Sequence, residues 1–101
     1  MTHEETDLQI LRAINEKNPH MRALAKLRIK GKRLDSLVGP VFCCYQYYLE
    51  YFKNMEYICA GADNHCYLTS EGGKRAGLSW KDINNPPDEK GQFQLFPRVA
   101  N

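Results

Sequence analysis

No stretch of the chain approaches the ~20 consecutive apolar residues that a membrane-spanning helix needs. The longest apolar-rich run, Val41 to Phe52, is broken by Gln46 and Glu50. The stretch MTHEETD at the start is acidic and polar, unlike the basic beginning of a secretory signal, so a cytoplasmic protein is expected. The four cysteines, Cys43, Cys44, Cys59 and Cys66, show no paired C-x2-C spacing, and in that compartment they are expected to be reduced thiols. Cys59, His65 and Cys66 could meet one metal ion together with Cys43 or Cys44, but small buried thiols explain the same residues. No metal or cofactor is expected. Catalytic signatures are missing too. His3, His20 and His65 fall in separate segments, and Gly72-Gly73-Lys74 lacks the upstream glycine and following Ser/Thr of a phosphate-binding loop. There is no G-x-S-x-G or H-E-x-x-H, and Cys43-Cys44 is not a redox C-x-x-C pair. The expectation is a protein that is not an enzyme.

What the chain does have is charge segregation. A net charge of +2 over 101 residues hides an acid-free stretch from Lys17 to Arg33. It carries Lys17, Arg22, Lys26, Arg28, Lys30, Lys32 and Arg33, while the other seven cations face twelve acids, a balance of −5. One strongly basic segment in an otherwise acidic chain points to a surface for an anion, nucleic acid first. A solvated helix face is the plainer explanation of the same charges.

Hydrophobic periodicity predicts a mainly helical α+β chain. Thr6 and Gln9 have capping-box spacing, and Leu8, Leu11 and Ile14 then share a helical face, with Ile10 and Ala13 beside them, up to Asn18-Pro19. A second helix is expected from Pro19 to Arg28, capped by Asn18 and burying Met21, Leu24 and Leu27. Ile29 to Asp35 then reads as a basic connection. Gly39-Pro40 marks a third helix, from Val41 to about Asn54, with Val41, Cys44, Tyr45, Tyr48, Leu49 and Phe52 as its apolar stripe. Two β-prone runs, Tyr57–Ala60 and His65–Thr69, flank turn residues Gly61 to Asn64. A short helix, Glu71 to Ala76, follows a Thr69 or Ser70 cap and ends at Gly77, with Gly72 and Gly73 each weakening it by up to ~1 kcal/mol. Trp80 and Ile83 are expected to anchor the chain to the core. The domain then spans 1–83, and 84–101 is a linker and tail, free or packed on the domain or a partner, in which Phe93, Leu95 and Phe96 are the apolar residues.

Three helices followed by a hairpin is the winged helix-turn-helix order, and two segments sharpen the likeness. Leu49-Glu50-Tyr51-Phe52-Lys53-Asn54-Met55-Glu56-Tyr57-Ile58 resembles the L-x-x-L-x-x-x-G-[YL]-I exit from a recognition helix into a wing. Tyr67-Leu68-Thr69-Ser70-Glu71-Gly72 is similar to the Y-x-L-T-x-x-G return from the wing into a further helix. Such patterns occur in bacterial transcriptional regulators of the MarR and PadR type. Glu56 stands where the family commonly has glycine, which leaves Asn54 to end the helix in the left-handed conformation.

The resemblance implies a DNA-binding regulator, expected as a homodimer, whose third helix enters the major groove. Its outward positions would be Ser36, Pro40, Cys43, Gln46 and Tyr47. Gln46 alone among these has a side chain suited to a bidentate contact with adenine, since no lysine or arginine occurs between Leu34 and Phe52. Phosphate contacts would come from Arg22, Lys26, Arg28, Lys30, Lys32 and Arg33, with Lys53, Lys74 and Arg75 at the flanks. The wing tip, Ala62-Asp63-Asn64, carries an acid and no base, which does not suit minor-groove insertion. A rival expectation is a protein-interaction or dimerisation module on the same scaffold, with Phe42, Tyr47, Tyr51, Phe93 and Phe96 as its anchors.

Overall fold

A computed structural model describes residues 3–36 and 45–86. The expectations placed on Pro40, Val41, Phe42, Cys43 and Cys44, and on Phe93, Leu95 and Phe96, lie outside the described residues. Helix α1 (His3–Lys17) is the spine of the fold, with Ile10, Leu11 and Ile14 essentially inaccessible to solvent. It starts before the expected cap. Thr6 is a buried residue of the helix rather than its N-cap, and Glu4 and Glu5 in the first turn suit the positive end of the helix dipole. Asn18 closes α1 with φ +42°, its N–H donating to the Ile14 carbonyl at 2.7 Å.

The second helix is shorter and tighter than its periodicity predicts, a 3-10 helix over Met21–Lys26. The reason lies in residues 19–21, which pair as an antiparallel strand with residues 64–66. His20 bridges His65, the Cys66 N–H donates to the Pro19 carbonyl at 2.7 Å, and the Met21 N–H donates to the Asn64 carbonyl at 3.0 Å. Pro19 and His20, held in that pairing with His20 extended at ψ 143°, leave the helix to begin only at Met21. The cap is consequently His20 and not Asn18: His20 Nδ1 accepts from the Arg22 N–H.

The basic connection is a second hairpin. Strand β1 (Arg28–Ile29) pairs antiparallel with β2 (Lys32–Arg33), and a 3-10 turn, Leu34–Ser36, follows. Lys30 (φ +54°) and Gly31 (φ +81°) form its two-residue loop, and positive φ at both central positions is what a type I′ hairpin turn requires. Ile29 points into the core, while Arg28, Lys30, Lys32 and Arg33 are exposed.

Helix α2 (Tyr45–Asn54) buries Tyr48 and Phe52. It ends in a Schellman motif. The Tyr57 N–H reaches back to the Phe52 carbonyl at 2.8 Å and the Glu56 N–H to the Lys53 carbonyl at 3.0 Å. Glu56 itself takes the left-handed conformation, φ +59°, so it occupies the glycine position of the motif directly and Asn54 does not substitute for it. The rings of Phe52 and Tyr57, 6.1 Å apart, supply the apolar contact that accompanies such a cap.

Strands β3 (Ile58–Ala60) and β4 (Cys66–Leu68) form the expected hairpin, with Cys59 opposite Tyr67. Thr69 caps α3 (Ser70–Arg75), its Oγ1 accepting from the Gly72 N–H at 3.0 Å, and Gly77 with φ +72° follows the helix. The chain then returns to α1. Ile83 is buried and Asn84 bonds to Asn15 and Asn18. Trp80 does not share that role: it is 60% exposed, on a 3-10 turn, Trp80–Asp82, at the surface.

Among the described residues, no helix is long and apolar enough to cross a membrane.

Candidate nucleic-acid interface

Six of the acid-free segment's seven cations stand exposed on two consecutive elements. Arg22 and Lys26 are exposed on the 3-10 helix, and Arg28, Lys30, Lys32 and Arg33 are exposed on the β1–β2 hairpin. Antiparallel pairing sets Arg28 directly opposite Arg33, and Ile29 opposite Lys32. Like charges facing each other across a ladder destabilise it, so the hairpin concentrates charge that an anion would relieve. Local contacts offset part of this. Arg33 Nη2 meets Asp35 Oδ2 at 2.7 Å, Ser36 Oγ donates to the Arg33 carbonyl at 2.9 Å, and Arg28 Nη1 donates to the Gly31 carbonyl at 2.7 Å. That last bond folds the Arg28 guanidinium over the turn beside Lys30.

The same hairpin forms one wall of an open groove of about 450 Å³, lined by Leu8, Gln9, Arg12, Ala13, Glu16, Arg28, Ile29 and Lys30. Arg12 thereby joins the basic surface. Sequence reasoning missed it because it lies outside the basic stretch, on a helix with four acids. Its guanidinium is oriented by Nε donating to the Ala76 carbonyl at 2.7 Å.

On α2, Gln46 and Tyr47 are exposed, Tyr47 at 51%, and Lys53 is exposed near the C-terminal end. The 3-10 turn Leu34–Ser36 packs against both α2 and the Met21–Lys26 helix. It therefore links the cationic hairpin to the helix that presents Gln46, and it carries Ser36, which the sequence had suggested for the face of the third helix.

Two expected site residues are only partly exposed and turn toward the buried Asp7. Arg75 turns inward and grips Asp7, Nε at 3.0 Å and Nη2 at 2.8 Å from Asp7 Oδ2. Those hydrogen bonds hold its guanidinium protonated above the ordinary arginine range. Tyr51, expected as an exposed anchor, is half-buried among Tyr48, Phe52 and Tyr57 and donates its hydroxyl to the same Asp7 oxygen at 3.1 Å. Burial, helped by Asp7, pushes its phenol up to about 12. A buried carboxylate needs such partners, and Asp7, fully buried, is what claims both residues. Lys74 stays exposed on α3, 3.5 Å from Glu71.

The turn of the β3–β4 hairpin is organised around an acid. Asp63 accepts from the Tyr67 hydroxyl at 2.9 Å and from the His65 N–H at 3.2 Å. Burial opposes its ionisation, but these bonds and the nearby His65 together hold the carboxylate below its usual range. Cys66 is buried and Cys59 half-buried, and burial pushes the Cys66 thiol up to about 12. Among the described residues, no group of three or more His, Cys, Asp or Glu is placed to hold a metal ion. No protein-family model, curated protein or solved structure matches the chain.

Proposed function

We propose that the chain is a DNA-binding transcriptional regulator of winged helix-turn-helix type. It would grip duplex phosphates through Arg22, Lys26, Arg28, Lys30, Lys32 and Arg33 and offer Gln46 and Tyr47 of α2 to the major groove. The observation that carries this reading is that the acid-free segment's cations stand exposed on a 3-10 helix and on the hairpin that follows it, with Arg28 and Arg33 paired across the ladder. A solvated face is the plain alternative; the ladder that sets Arg28 against Arg33 favours a surface that receives an anion. The scaffold is supported by the order α1, 3-10 helix, α2, β3–β4, by the strand-like pairing of His20 with His65 beside the hairpin, and by the left-handed residue where the recognition helix of that family passes into its wing. Arg12 joins the phosphate-facing set; Arg75 leaves it.

The test is fluorescence-anisotropy binding to a mixed-sequence duplex across a salt series. Replacing Lys30, Lys32 and Arg33 together by alanine is expected to weaken binding on every sequence and to flatten the log–log salt slope by up to ~3 units. Replacing Gln46 is expected to change sequence preference and leave the slope nearly intact. An unchanged slope in the triple variant removes the hairpin from the interface.

A protein-interaction module is the second reading, favoured by the exposure of three large apolar side chains, Trp80 at 60%, Tyr47 at 51% and Met55 at 47%. Absence of duplex binding even at low salt would turn the question to a partner on those residues, a second copy of the chain included.

A further inference from the structure

We infer that the β1–β2 hairpin is a minor-groove arm, with Lys30 and the Arg28 guanidinium at its tip entering the groove. This rests on the DNA-binding reading above and goes beyond phosphate contact. Three observations lead there. The tip is narrow and open on its Gly31 side: the loop is only Lys30 and Gly31, and a Cβ built on Gly31 would meet nothing within 4 Å. Its side chains are cationic, and Arg28 is folded back onto the Gly31 carbonyl, which brings a second positive group to the turn. The tip carries no acid, and the minor groove, ~6 Å wide and strongly negative over A·T pairs, attracts inserted Arg and Lys.

The other hairpin is unsuited to that role. Its turn presents Asp63, kept as a carboxylate by Tyr67 and His65. A fixed negative charge at the mouth of a negative groove is repelled. Position agrees with this division. The turn Leu34–Ser36 follows β2 directly and packs on α2. With α2 in the major groove, that connection keeps the hairpin within reach of the same duplex.

The experiment compares one G·C-rich duplex with the same duplex carrying inosine for guanine. That exchange removes the minor-groove amino group and leaves the major-groove edge as it was. Binding to the inosine duplex is expected to be roughly five- to tenfold tighter. Lys30→Ala and Arg28→Gln should each lose most of that preference while still binding, and Lys30→Arg should keep it. Equal binding to the two duplexes overturns the inference and leaves the DNA reading in place. A preference that survives both Lys30→Ala and Arg28→Gln overturns the assignment to this hairpin. Failure to bind either duplex at low salt overturns the DNA reading, and the inference with it.

Discussion

Replacing Glu56 by glycine should make this protein more stable. Glu56 sits at the left-handed position of the cap that ends α2, φ +59°, with the two reach-back hydrogen bonds already formed. The left-handed conformation costs an L-residue ~1–2 kcal/mol relative to glycine. Glycine returns ~0.5–1 kcal/mol of that through the greater freedom of its unfolded chain. A carboxylate just past the C-terminus of a helix also faces the negative end of its dipole, a further ~0.3 kcal/mol or more at low salt. The sum is a gain of about 1 kcal/mol, or roughly 4–8 °C in melting temperature for a domain of this size. Urea unfolding followed by circular dichroism measures it. Glu56→Gln is the control: it removes the charge, keeps the Cβ, and should recover only the small, salt-sensitive part. If Glu56→Gly proves no more stable than Glu56→Gln, the backbone at residue 56 is not strained and the account of the α2 exit fails.

Gly72→Ala should have the opposite sign. An added Cβ would lie 2.8 Å from the Tyr57 carbonyl carbon and closer still to its oxygen. Backbone cannot rotate away, so α3 must shift, at a cost near or beyond the ~3 kcal/mol upper end of ordinary overpacking. At Gly73 the added carbon would instead meet the movable Ile83 side chain, and a smaller loss in the same denaturation assay is expected there. A gain of ~1 kcal/mol at Gly72, as helix propensity alone would give, would refute the close approach. Cys66 should be silent toward a thiol reagent in the native protein and react only on unfolding, which peptide mapping after pulsed alkylation would read. Its thiol ionises at about 12 when folded and near 9 when unfolded. Burial thus favours the protonated form, so the contribution is complete below pH 9 and lost as pH rises toward 12, by ~1 kcal/mol at pH 10. Urea midpoints at pH 8, 9 and 10 should fall less steeply in Cys66→Ala than in the wild type.

The elements that were legible in the sequence are those whose signal is local. The face of α1, the Tyr48 and Phe52 part of the α2 stripe and the β3–β4 hairpin each follow from periodicity over a few turns or one pair of strands. The T-x-x-G segment was legible as a pattern, but its cause was not. Gly72 reads as a weak helix former, yet it lets α3 lie against the carbonyl of Tyr57, fifteen positions earlier in the chain. The second helix failed for a similar reason, because residues 19–21 are committed to residues 64–66, and no window around Pro19 contains that partner. The β1–β2 turn escaped notice because Lys-Gly is a weak signal for a type I′ turn beside Asn-Gly or Asp-Gly.

The candidate site divides along the same line. Basic residues clustered in sequence stay clustered in space, so Arg22 through Arg33 were found together. Arginines outside the cluster could not be sorted, because their role is set by a partner more than sixty residues away. Arg75 and Arg12 exchanged places for that reason. Asp7 draws Arg75 toward the core, while the Ala76 carbonyl one residue further on fixes Arg12 against the end of α3. The two contacts cross between the same pair of helices, α1 and the end of α3. Asp7→Asn therefore separates two views of the surface. If Arg75 is structural, the substitution should destabilise the fold, because it removes the buried charge that Arg75 Nε and Nη2 grip, without steepening the salt dependence of duplex binding. If the released Arg75 instead adds about one unit to that slope, it was part of the nucleic-acid surface after all, held back by Asp7.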